Sequence, residues 1–146
     1  MKVYTIGFTQ KSAKEFFELI KQNGIELLID IRLNNVSQLA GFAKGKDLEY
    51  FLKEICNCKY MHDDLFAPTK ELLDDYRAKK VSWDKYEEIF LGIVNARNLA
   101  SRFEKLYSKS EKICLLCTEP TAEKCHRRLV AECLKENIED IEIIHI

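Results

Sequence analysis

The stretch Leu27-Leu28-Ile29-Asp30-Ile31-Arg32 is apolar at successive positions until it nears its end. A strand with one wet face alternates, so an unbroken apolar run of this length marks a central parallel strand covered by helices on both sides. Upstream, Lys2 to Phe8 is a β-branched and aromatic run of strand length, and Ser12-Ala13-Lys14-Glu15 has the Ser-x-x-Glu form of a capping box. A helix therefore starts near Ser12, buries the stripe Phe16, Phe17, Leu19 and Ile20, and stops at Asn23-Gly24. Strand, helix and strand make a βαβ opening.

Working toward the C-terminus, Leu33 to Lys46 holds two glycines with Asn34, Asn35, Ser37 and Gln38, and reads as a long connection of the kind that is usually functional when ordered. Asp47 is expected to cap a helix that buries Leu48, Phe51, Leu52 and Ile55. Lys59-Tyr60-Met61 is a short strand, and Thr69 or Lys70 opens a helix to about Lys80. Ser82 opens a longer one, with Trp83, Tyr86, Phe90, Ile93 and Val94 inward, continuing toward Leu106. Lys112 to Cys117 is a fourth strand, Glu123 to Glu136 a helix and Ile141 to Ile146 a last strand. The alternation predicts a single α/β domain over residues 1–146, with a mostly parallel sheet of about five strands flanked by helices on both faces.

Composition agrees with this and removes other classes. The 146 residues suit one core, and five Gly with two Pro is too little for a disordered, collagen-like or turn-rich all-β chain. With 23 basic and 24 acidic side chains the formal charge is −1, so duplex nucleic acid is not an expected partner and any anion site must be local. The apolar start Val3 to Phe8 is too short for a signal-peptide core, and no window is apolar enough to cross a membrane. Six cysteines scattered along the chain suit reduced thiols, which makes the expected location cytoplasmic.

In a parallel sheet ligands bind outside the carboxyl ends of the strands. Gly7-Phe8-Thr9, Asp30-Ile31-Arg32, Tyr60-Met61-His62 and Cys117-Thr118-Glu119 all fall there. The richest segment runs from Cys117 through Glu119 and Pro120 to Cys125-His126-Arg127, where a strand ends and a helix begins. A thiol beside a helix N-terminus and a cation has reason to ionise, and the same features attract phosphate or carboxylate. Cys117 or Cys125 is then a candidate nucleophile, with Glu119 and His126 to move protons or, for Glu119, to orient the imidazole. Arg32 and Arg127 are candidate anion anchors, with Gly7, Thr9, Asp30 and His62 around them. Asp30 and Arg32, two apart on a strand, face the same side, so an internal ion pair is an equal alternative to a ligand clamp. Cys114 and Cys117, three apart, face opposite sides and form no redox pair.

The pieces Thr5-Ile6-Gly7, Leu28-Ile29-Asp30-Ile31-Arg32 with Ser37 and Phe42, Trp83 with Tyr86, and Leu115-Leu116-Cys117-x-Glu119 followed by Cys125-His126-Arg127 resemble the family called domain of unknown function 488. The C-x-E-x5-C-H-R arrangement is its most specific part. The resemblance implies an intracellular α/β domain and no particular reaction. This chain departs from the pattern at Phe8-Thr9 and at Leu33-Asn34-Asn35. A fainter likeness to rhodanese-type sulfur carriers rests on Asp-x-Arg at one strand end and Cys at another, although Thr118-Glu119-Pro120 lacks the Gly of an anion-cradling loop.

Three functional readings follow. The first is a cysteine-dependent transferase or hydrolase acting on an anionic small molecule. The second is a non-enzymatic module for nucleotides or single-stranded nucleic acid, with Trp83 and Tyr86 as stacking surfaces, although their helical spacing fits core positions better. The third is a structural metal domain using Cys117, Cys125, His126 and His62. Against it, C-x7-C-H matches no common zinc knuckle, and helical neighbours such as Cys125 and His126 point about 100° apart. Asp63-Asp64 reads as a turn. No metal or cofactor is assigned, and oligomeric state is not encoded in these patterns.

Overall fold

The computed structural model describes residues 1–36 and 40–146, so Ser37, part of the family resemblance, lies outside the described residues. Five strands, β1 (Lys2–Gly7), β2 (Leu27–Asp30), β3 (Lys59–His62), β4 (Lys112–Cys117) and β5 (Glu142–His145), form one parallel sheet in the order β3-β2-β4-β1-β5. Among the described residues the α-helices are α1 (Ala13–Gln22), α2 (Gly45–Cys56), α3 (Lys70–Arg77), α4 (Trp83–Ala96), α5 (Leu99–Tyr107) and α6 (His126–Asn137). This is the three-layer α/β architecture that the alternation of periods predicts.

Strand alternation divides the interior into two cores. Val3, Leu27, Ile29, Ile113 and Leu115 face the layer made by α3, α4, α5 and α6, where Phe90, Phe103 and Leu129 are buried. Tyr4, Ile6, Leu28, Cys114 and Leu116 face α1 and α2, against Phe16, Ile20, Leu48 and Leu52. Both faces of β2 and β4 are thus covered, which is why these strands carry no polar alternation.

Local signals set several boundaries. Ser12 caps α1, its hydroxyl accepting from the Glu15 N–H at 3.1 Å, and Gly24 supplies the left-handed residue (φ 64°) after its end. Thr69 and Ser82 cap α3 and α4 in the same way. Other expectations are corrected. Asp47 lies inside the first turn of α2, which begins at Gly45 without a side-chain cap. The long helix expected from Ser82 is two helices, broken where Asn98 adopts a left-handed backbone (φ 51°). Asn tolerates that region, and no Gly or Pro announced the break. Helix α6 begins at His126 rather than Glu123, so Cys125 is its N-cap with extended backbone. Asp63 does more than make a turn: it is buried, binds Arg102 at 2.9 Å and accepts from the Tyr107 hydroxyl at 2.7 Å.

The order of strands also fixes where a crevice opens. Strands β2 and β4 are neighbours, but the chain leaves β2 toward α2 on one face and leaves β4 toward α6 on the other. Their outgoing segments diverge at the carboxyl ends, leaving a gap there. Among the described residues no helix is long and apolar enough to cross a membrane.

Candidate functional site

The gap is a cavity of about 450 Å³, and its floor contains Arg32, Cys117, Cys125 and His126. The end of β4 delivers Cys117, the N-terminus of α6 delivers Cys125 and His126, and Arg32 follows β2. Buried Cys117 Sγ lies 3.3 Å from His126 Nδ1. His126 Nε2 lies 2.9 Å from the Ile31 carbonyl oxygen, which can only accept. Nε2 therefore carries the proton, and in the neutral ring Nδ1 is an acceptor aimed at the thiol. A proton passed from Cys117 to Nδ1 gives a thiolate beside an imidazolium.

The ionisation of the cysteines separates one from the rest. Burial works against a Cys117 thiolate and is the largest single influence on it. A hydrogen bond from the Cys125 thiol, backbone N–H groups of Thr118 and Glu119, and the charge of Arg127 outweigh that burial and lower Cys117 below its ordinary value. Cys125 is pushed up, first by its hydrogen bond to Cys117 and then by burial. Burial also raises Cys56, Cys58, Cys114 and Cys133, with Cys58 pushed up to about 12.

Arg32 is held in a bidentate pair with Asp30, Nε to Oδ1 at 2.8 Å and Nη2 to Oδ2 at 2.7 Å, and Nη2 also donates to the Ala43 carbonyl. Its guanidinium stacks over the Phe8 ring at 5.0 Å. Of the two alternatives, the internal ion pair is the one present. Asp30 takes two nitrogens, and Nη1 is the buried side-chain nitrogen left without a partner among the described residues. A buried donor without an acceptor calls for an explanation, and Arg32 lines the cavity.

The remaining candidates are placed around the site in different ways. Arg127 is fully buried behind the floor, donating from Nη1 to the Glu119 carbonyl at 2.6 Å and to Cys125 Sγ at 3.5 Å, and from Nε to Thr5 Oγ1 at 3.3 Å. It does not line the cavity; its donors hold the segment after Cys117. Thr9 holds the same segment, donating from Oγ1 to the Thr118 carbonyl at 2.8 Å. Glu119 is exposed on the cavity rim, and the group that orients His126 is the Ile31 carbonyl instead. His62 is exposed, with Nε2 2.8 Å from the Arg32 carbonyl, and stands outside the cavity.

Gly7 is needed for close approach. A Cβ there would sit 1.6 Å from the Glu119 carbonyl oxygen, a backbone atom that cannot step aside cheaply. Gly7→Ala is expected to displace the segment that supplies the Thr118 and Glu119 N–H groups. The cost is about 1–3 kcal/mol, visible as a lower urea midpoint together with slower alkylation of Cys117.

The cavity wall was not foreseen as a unit. Tyr76, Trp83 and Tyr86 form one side, with Trp83 and Tyr86 stacked at 5.0 Å and 20°, while Tyr86 also belongs to the core. Lys70, Arg77 and Lys124 add positive charge around the opening, against Asp74 and Glu119. The capped helix α3 was legible in the sequence, but nothing local shows that it packs beside the end of β4.

Metal binding also reads differently in three dimensions. Cys125 lies outside the helix, so the 100° separation does not apply, and donor atoms of Cys117, Cys125 and His126 lie within 4.8 Å of one another. These three side chains could offer a soft cation two sulfurs and a nitrogen. Arg127 against Cys125 and Arg32 near Cys117 place positive charge where that cation would sit.

Comparison with known proteins adds a family and no activity. Nothing matches significantly among curated proteins or among solved structures. The family model described as "Domain of unknown function DUF488" matches residues 12–134, a span that includes β2, β3, β4, helices α1 to α5, most of α6 and the C-x-E-x5-C-H-R segment. The chain therefore belongs to the DUF488 family.

Proposed function

We propose that the protein is a cytosolic cysteine-dependent enzyme whose substrate is a small anion carrying a flat apolar group. The observation that carries this reading is the Cys117–His126 pair at 3.3 Å, opening into a cavity that Arg32 also lines. In this reading Cys117 is the nucleophile. His126 takes its proton through Nδ1 and returns it to the leaving group, and the positive charge of Arg32 attracts the anion. Tyr76 and Trp83 accept the apolar part, and Arg127 keeps the Cys117 segment in place. Glu119, on the rim, faces bound substrate rather than the imidazole.

Selective alkylation tests this. Near neutral pH, Cys117 is expected to react well ahead of the other five cysteines, with anionic iodoacetate at least as fast as neutral iodoacetamide and inorganic phosphate slowing both. Since Cys117 is lowered, its reactive thiolate persists below the ordinary thiol value and is lost only as pH falls through that lowered value. The rate of labelling should therefore climb at lower pH than for a model thiol. Peptide mapping that finds Cys117 no faster than Cys56 or Cys133, or iodoacetate strongly disfavoured, removes the proposal.

The aromatic wall favours a second reading, a nucleotide-binding module without turnover. Trp83 is the sole tryptophan, so its fluorescence reports on the cavity. Saturable quenching by a nucleoside monophosphate that survives alkylation of Cys117 would support this second reading.

A further inference from the structure

Binding an anion and passing a proton leave one group on the cavity floor without a task. Cys125 lines the cavity beside Cys117, and their sulfurs lie within 4.8 Å although eight positions separate them in sequence. The approach is built by backbone. The chain leaves β4, turns through Pro120, and returns with Cys125 in an extended conformation (φ −140°, ψ 139°) before α6 begins. Arg127 donates to the second sulfur from behind. The two thiols also differ in character, Cys117 being the more easily ionised and Cys125 the harder to ionise through its hydrogen bond to Cys117 and its burial. An attacking thiolate beside a protonated partner is the division of labour used in thiol–disulfide exchange.

We propose that Cys125 is a resolving thiol and that the substrate is a small anionic disulfide, reduced to two thiols as Cys117 and Cys125 become a disulfide. This rests on the reading of Cys117 as nucleophile and gives that reading a substrate class. In the first step Cys117 passes its proton to His126 Nδ1, and its sulfur attacks one sulfur of the substrate. A protein–substrate S–S bond forms as the substrate's own S–S bond breaks, and the expelled thiolate takes the proton from His126. In the second step Cys125 gives its proton to His126 and attacks Cys117 Sγ. The Cys117–Cys125 bond forms, the mixed disulfide breaks, and the second substrate thiolate leaves with that proton. Two electrons pass from the protein thiols to the substrate, and an external dithiol reopens the pair. Arg32 and the Tyr76–Trp83 wall fit a disulfide bearing carboxylates on flat groups.

The probe is 5,5′-dithiobis(2-nitrobenzoate), an anionic aromatic disulfide with a coloured product, used on the whole reduced protein. The wild type is expected to release two equivalents of thionitrobenzoate in its fast phase and to end two hydrogens lighter, with Cys117 joined to Cys125 in the peptide map. Cys125→Ser is expected to stop at one equivalent in that phase, with a lasting mixed disulfide on Cys117. A wild-type fast phase that stops at one equivalent and leaves the adduct on Cys117 overturns the role of Cys125 and leaves the nucleophile intact. Absence of any fast phase at Cys117 overturns both. The wild-type stoichiometry and mass need no variant, so poor folding of Cys125→Ser does not blunt the test.

Discussion

Cys117→Ser is expected to abolish the fast phase of thiol chemistry and to lower any turnover the protein supports by about a thousandfold or more. A hydroxyl of similar size can still meet His126 Nδ1, but it does not ionise near neutral pH and is a poor nucleophile without full activation by a base. The groups that hold the site, Arg127, Thr9 and Gly7, remain unchanged. Unfolding by urea should therefore shift by only about 1 kcal/mol. Loss of reactivity with a preserved midpoint identifies chemistry at Cys117. An equally large loss of stability would show a packing role, and unchanged fast labelling would exclude the nucleophile.

The second large effect is on stability. Asp30 is fully buried, accepts from two guanidinium nitrogens and the backbone N–H of Arg32, and also accepts from the Tyr60 hydroxyl at 2.7 Å. Asp30→Asn keeps the shape but leaves the Arg32 guanidinium buried without a counter-charge, at a cost of about 3–5 kcal/mol. In the double variant Asp30→Asn with Arg32→Met the uncompensated charge is gone. It is expected to be less destabilised than Asp30→Asn alone, a coupling that denaturation of the four proteins in a mutant cycle measures directly. Additive losses would show that Asp30 stabilises β2 by some route other than Arg32. Because the position of Arg32 depends on this anchoring, Asp30→Asn should also weaken the preference of Cys117 for iodoacetate over iodoacetamide.

The two experiments act on different levels of the same design. Asp30 and Arg32 form a buried base whose charge is mostly neutralised internally. In the proposed reading Cys117, His126 and Cys125 form the reactive edge, positioned by β4 and by the start of α6. Because β2 and β4 are adjacent, an anion drawn to Arg32 would lie close to Cys117.

Much of this was written in local sequence. The double-sided apolar run at Leu27 to Ile31, the capping box at Ser12 and the capped starts at Thr69 and Ser82 rest on interactions within a few residues, which is why they could be read directly. The concentration of Cys117, Glu119, Cys125, His126 and Arg127 at a strand end was equally legible, as was the shared face of Asp30 and Arg32. What only tertiary structure decided was direction. Cys125 and His126 converge because Cys125 is extended rather than helical. Arg127 turns inward to brace the backbone while Arg32, paired with Asp30, lines the cavity, and α3 brings Tyr76 and Arg77 to its wall. Periodicity fixes which face of an element is apolar, but the aim of a side chain at a cap or strand end depends on partners far along the chain. The carbonyl of Ile31, 95 residues from His126, is the clearest case.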